Sequence, residues 1–206
     1  MTKPHFCLSR QRCRPDQRDV LRVFGAAILL CIVITGCSYS EYQTPSGRLD
    51  RALGRLAAAG NEEGRFYALD DAAKESFVVG HIKNADQYAK ELLTLAPRHT
   101  RNWNYGNAIQ DGNLVLGRIA VREGHIDEAK RFLEEAGKSP GSPQMDSFGP
   151  NLSLAKDLLE KGETQAVLNY FEACRKFWEH HQDRLDQWAD DVKAGRTPDF
   201  GANLLY

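Results

Sequence analysis

Few side chains in this sequence could carry covalent or metal chemistry, and their spacing decides what they are for. Five cysteines stand at Cys7, Cys13, Cys31, Cys37 and Cys174. A thiolate is a nucleophile and a metal ligand, yet no two of these cysteines form a C-x-x-C pair. Beyond residue 36 the histidines are His81, His99, His125, His180 and His181. His81 and His125 each sit in a Gly-His-Ile turn, which accounts for them structurally. His180 and His181 are adjacent and point to different sides of a helix, so they cannot chelate one ion. H-E-x-x-H, a glycine-rich phosphate loop and a G-x-S-x-G elbow are all missing from the sequence. The reading is therefore not an enzyme, with no metal and no cofactor. Cys37 has the most distinctive setting, because the stretch LLCIVITGCSYS places Ile34, Thr35 and Gly36 directly before it.

The segment that delivers Cys37 is short and apolar. Val23 to Thr35 holds 13 residues without a charge, whereas a helix across a bilayer needs about 20. Upstream, Lys3, Arg10, Arg12, Arg14, Arg18 and Arg22 face only Asp16 and Asp19. A basic arm, a short apolar run and small residues before a cleavage point describe a secretory signal peptide. Ile34-Thr35-Gly36-Cys37 resembles the lipobox of bacterial lipoproteins. The resemblance implies that residues 1–36 are a signal peptide and that the Cys37 thiol receives lipid and becomes the first residue of the mature chain. It also implies a cell-envelope location with Cys37 as the anchor. In a Gram-negative cell, Ser38 after that cysteine is compatible with an outer-membrane protein facing the periplasm. Several acyl chains hold a protein far better than the marginal grip of one.

Cleavage before Cys37 would change the balance of the chain. Six of its 27 basic residues and two of its 28 acidic residues lie in 1–36, so 21 basic face 26 acidic thereafter. A net charge near −5 speaks against nucleic acid as a partner, since such proteins carry a basic stripe. Cys174 is then the one thiol left besides Cys37, and no internal disulfide can form.

Residues 37–46 read as the lipidated cysteine and a flexible tether, and 47–196 as an all-α domain beginning behind a Ser46 cap. Strand signals are almost absent, and amphipathic helix-length segments alternate with glycine breaks. AAKESFVVGHIKNADQYAKELLTLAP (72–97) aligns with LGRIAVREGHIDEAKRFLEEAGKSP (116–140). In both, a small residue stands seven before the turn glycine and an alanine five after it. These positions resemble the tetratricopeptide repeat (TPR), a helix-turn-helix unit that stacks into a solenoid. Units fall at about 66–97, 103–140 and 151–178. Ala73, Gly80, Ala85 and Pro97 mark the first, Leu116, Gly117, Gly124, Ala129 and Ala136 the second, and Leu154, Ala155, Gly162, Phe171 and Cys174 the third. The glycine spacings of 44 and 38 residues exceed the 34 of the repeat. The first excess lies in RHTRNWNYGN, read as extending the next helix backward, and the second in GKSPGSPQMDSFGPN, a proline- and glycine-rich loop.

From Thr164 to Ala194 the sequence has neither glycine nor proline. Val167, Phe171, Cys174, Trp178, His181, Leu185, Trp188 and Val192 form an apolar seam along it. This predicts one long C-terminal helix that caps the stack or, as an alternative, dimerises. The segment 197–206 reads as a trailing apolar tail.

The repeat register sends the residue after each small packing position into the groove of the solenoid. Those residues are Lys74, Arg118 and Lys156. With the amides Asn104, Asn107, Gln110 and Asn113 nearby, the expected ligand is a protein or peptide partner, acidic in character. Local pairing of a solvated face, such as Asp70 with Lys74, is the competing expectation. The functional expectation is a membrane-anchored scaffold for protein–protein interaction. The alternative is a cell-wall or envelope hydrolase, or its accessory.

Overall fold

A computed structural model describes residues 43–204. The expected signal peptide 1–36, the expected anchor Cys37 with Ser38 after it, and the last two residues lie outside the described residues. Every regular element among the described residues is helical: α1 (Pro45–Ala58), α2 (Glu62–Val78), α3 (Ile82–Leu95), α4 (Tyr105–Glu123), α5 (Ile126–Gly137), α6 (Pro143–Phe148), α7 (Ser153–Leu159), α8 (Thr164–Cys174) and α9 (Gln182–Lys193). Short 3-10 turns occupy Ala96–Arg98, Glu179–His181 and Gly201–Leu204. None of the described helices is long and apolar enough to cross a membrane.

Local chemistry explains most boundaries. Thr44, and not Ser46, caps α1: its hydroxyl accepts from the Gly47 amide at 3.1 Å, and Pro45 opens the helix. Proline at the first position loses nothing, because that N–H has no helical acceptor. Asn61 caps α2 through the Gly64 amide at 2.7 Å, with Glu62 and Glu63 complementing the helix dipole. The segment 99–104 turns, so α4 begins at Tyr105 and does not reach back through RHTRNWN.

Helices pack pairwise, α2 with α3, α4 with α5 and α7 with α8, and α4 lies beside both α2 and α7. Gly80, Gly124 and Gly162 separate the helices of each pair at φ of 84°, 83° and 83°, a left-handed conformation that only glycine adopts at little cost. Five residues on, Ala85, Ala129 and Val167 are fully buried. Seven residues before, Ala73 and Ala155 are buried, and a Cβ on Gly117 would stand 2.3 Å from a Leu154 methyl.

The single long C-terminal helix does not form. The chain leaves the α8 axis after Cys174, turns through 175–178 and returns as α9. The seam explains why. Folded on itself, it stacks Trp178 on Trp188 with ring centroids 5.8 Å apart. Leu185, Trp188 and Val192 share one core with Val167, Phe171 and Cys174. A straight helix would leave part of that surface in water, and burying each large apolar side chain contributes about 1.5–3 kcal/mol. Arg175 clasps Asp186 across the bend at 2.6 Å. The apolar seam is thus buried within the chain's own core.

The C-terminal segment does not trail. Phe200 is buried edge-on to Trp188, with centroids 5.3 Å apart. Asn203 is buried as well. Its side-chain amide donates to the carbonyls of Phe148 and Pro150, and its carbonyl accepts from the Leu152 amide at 2.8 Å.

Candidate functional site

The three basic residues expected to line an open groove are all engaged by carboxylates. Lys74 on α2 is largely buried, and its ammonium lies 3.2 Å from Asp111 Oδ2 on α4, 3.3 Å from Asp70 Oδ1 and 3.8 Å from Asp71 Oδ1. Arg118 on α4 donates from Nε to Asp157 Oδ2 on α7 at 2.7 Å, and its guanidinium lies 4.6 Å from the Phe77 ring centre. Lys156 is half-buried and pairs at 2.6 Å with Glu160, the residue that follows α7. Lys74 and Arg118 therefore tie each helix to the next one across.

The amides expected to grip a partner's backbone are also turned inward. Asn104, Asn107, Gln110 and Asn113 are all buried. Asn113 Nδ2 donates to the Ile109 carbonyl at 2.8 Å within its own helix. Asn107 Nδ2 donates to Asn104 Oδ1 and to Gln144 Oε1, both at 2.9 Å, and its Oδ1 accepts from the Ser142 hydroxyl at 2.6 Å. Gln110 donates to the Tyr170 hydroxyl at 3.0 Å and accepts from the Asn151 amide at 3.2 Å. These groups bind the chain's own 139–151 segment to α4. Close approach is required there: a Cβ on Gly106 would lie 1.9 Å from the Gly141 carbonyl oxygen.

Together these elements build a pocket of about 120 Å³. Lys74, Asp111, Asn107, Gln110, Gln144, Asn151 and Asn203 line it, together with Phe148. Phe148 is 76% exposed, a large apolar ring left in water. Charge is balanced beneath the pocket. Lys74 is held protonated despite its burial, by Asp111 first and then Asp70 and Asp71. Burial pushes the Asp70 carboxyl up to about 8, against the opposing pull of Lys74. Asp71 pairs with Arg55 on α1.

Asp70 and Lys74 lie one turn apart and are legible as a pair. Asp111 lies on another helix, and Gln144, Phe148, Asn151 and Asn203 come from the insert and the C-terminus, where no helical periodicity marks them. Cys174 is fully buried, and burial raises its thiol far above the ordinary range, which leaves it unreactive. His81 and His125 are exposed at their turns. Among the described residues no His, Cys, Asp or Glu cluster is arranged to hold a metal.

No protein-family model matches the chain, and neither a curated protein nor a solved structure does.

Proposed function

We propose that the protein is an envelope lipoprotein, anchored by lipid on Cys37, whose helical domain is a tetratricopeptide-type scaffold for a protein partner. The observation that carries the scaffold reading is the repeated register. Three turn glycines share φ near 83°, and the residue five after each, Ala85, Ala129 and Val167, is fully buried. A stack of such pairs works by presenting an extended surface to another chain. The anchor rests on the lipobox resemblance and the short uncharged run before it.

With Lys74 and Arg118 spent on carboxylates, the contact residue best suited to a partner is Trp103. It is 55% exposed and rests on Tyr67, with ring centroids 5.8 Å apart. The Tyr67 hydroxyl is fixed on Asn102 Oδ1 at 2.8 Å. Tryptophan is among the residue types that most often dominate binding energy at interfaces.

Two measurements test the two halves. Cells given a tagged fatty acid should label the parent chain and leave Cys37→Ser unlabelled and uncleaved. Equal labelling of both would remove the anchor. A pull-down from envelope extract with the full chain should recover a partner that Trp103→Ala loses. Identical recovery by both forms would remove Trp103 as the contact.

A further inference from the structure

The pocket over Lys74 and Asp111 has a chemistry of its own, distinct from the scaffold reading. Several of its polar atoms make no hydrogen bond among the described residues: Asp111 Oδ1, the Gln144 side-chain nitrogen and the Asn151 side-chain nitrogen. One of these accepts and two donate. Gln110 adds a second amide hydrogen, its first being used on Tyr170. All four residues line the same cavity of about 120 Å³. Amide donors and a carboxylate acceptor thus share one cavity with the exposed Phe148.

Charge narrows the ligand. An anion would need an uncompensated cation, and Lys74 already faces Asp70, Asp71 and Asp111. A cation would need uncompensated carboxylate. Asp111 is paired with Lys74, Asp71 with Arg55, and Asp70 is kept largely protonated by burial. The pocket rewards neither sign. It rewards a neutral group that both gives and receives hydrogen bonds, as a hydroxyl does, on a body with an apolar face for Phe148. A pyranose ring has that constitution: hydroxyls around its edge and C–H bonds on its face. The cavity admits one ring and excludes a folded element.

We propose that the pocket formed by Asp111, Gln144, Phe148 and Asn151 binds one ring of a neutral saccharide. Phe148 stacks on the C–H face, Asp111 Oδ1 accepts from a hydroxyl, and the Gln144 and Asn151 amides donate to hydroxyl oxygens.

The test is saturation-transfer NMR on the full chain in a detergent without a sugar headgroup. The probes are N,N′-diacetylchitobiose, maltose and tetra-alanine. At least one disaccharide should receive saturation at its ring C–H protons, with half-saturation in roughly the millimolar range expected for so small a contact. Phe148→Ala and Gln144→Ala should each weaken that binding by roughly tenfold, the loss of one stacking or hydrogen-bonding contact. The Phe148 side chain is exposed, so the Phe148→Ala melting temperature should hold and its loss of signal cannot be loss of fold, whereas Gln144→Ala also gives up the Asn107 contact and should melt somewhat lower. Absence of transfer to both sugars, or transfer undiminished in both variants, overturns the proposal. Transfer to tetra-alanine that both variants abolish, without transfer to sugar, overturns it in favour of a peptide pocket. Lipidation of Cys37 and capture of a partner through Trp103 do not enter this readout, so their failure would leave the saccharide test standing.

Discussion

Lys74 shows how far a residue's role depends on what faces it. As a lysine on an amphipathic helix it reads as a solvated cation. In the fold it neutralises a buried site shared by α2 and α4. Lys74→Glu should therefore act on folding first. It would place a further acid among Asp70, Asp71 and Asp111 and remove their shared cation, and breaking a buried pair costs about 3–5 kcal/mol. Urea denaturation checks this, and a midpoint within error of the parent would mean that the ammonium is solvated. Asp70 makes the complementary case. Its folded-state pKa is raised from 3.8 to about 8 by burial, so the folded chain keeps a proton that the unfolded chain releases. Stability from this group is complete below about pH 4 and is lost as pH rises toward 8. Asp70→Asn should flatten that part of the stability profile and gain most, relative to the parent, near pH 8. Denaturant midpoints of both forms at pH 5 and pH 8 decide it. A parent whose stability rises between those values by more than the variant's would reverse the sign.

At the scale of elements, the insert between α5 and α7 does more than connect. It lies against α4 through Ser139, whose hydroxyl donates to the Gly106 carbonyl at 2.7 Å, and through the Asn107 and Gln110 networks. The contact needs a bare backbone at Gly106, since a Cβ there would lie 1.9 Å from the Gly141 oxygen. Gly106→Ala gains helix propensity, worth about 1 kcal/mol in an exposed helix. The overlap should outweigh that gain, because relief requires the insert to lift and overpacking costs about 1–3 kcal/mol. The expected result is a lower melting temperature, together with loss of any ligand bound beside Gln144. A melting temperature raised by the alanine would show that the insert yields freely.

For the molecule as a whole, the C-terminal segment closes the larger core. Phe200 packs edge-on to both Phe171 and Trp188, and Asn203 pins the carbonyls of Phe148 and Pro150. Phe200→Ala should cost about 3–5 kcal/mol, the usual penalty for emptying a buried phenylalanine site. Equilibrium unfolding followed by tryptophan fluorescence measures it, since Trp178 and Trp188 lie in the same cluster. A loss below about 1 kcal/mol would mean that the segment is peripheral.

Helical class, the turn glycines and the buried small residues were legible in the sequence because each follows from local physics. A left-handed turn calls for glycine at 80, 124 and 162, and close helix contact calls for a small side chain at 73, 117 and 155. Such constraints act within a few residues and leave a periodic trace. The bend after Cys174 leaves none. No glycine or proline marks it, and it arises because two halves of one apolar seam bury more surface against each other than along a straight helix. The same holds for the site. Nothing within the α4 sequence says that Asp111 meets Lys74, or that Asn107 and Gln110 hold an insert more than 30 residues away. A polar side chain on a helix looks alike whether water or another segment satisfies it. Only the arrangement of α2, α4, the insert and the C-terminus removes the water and makes that choice.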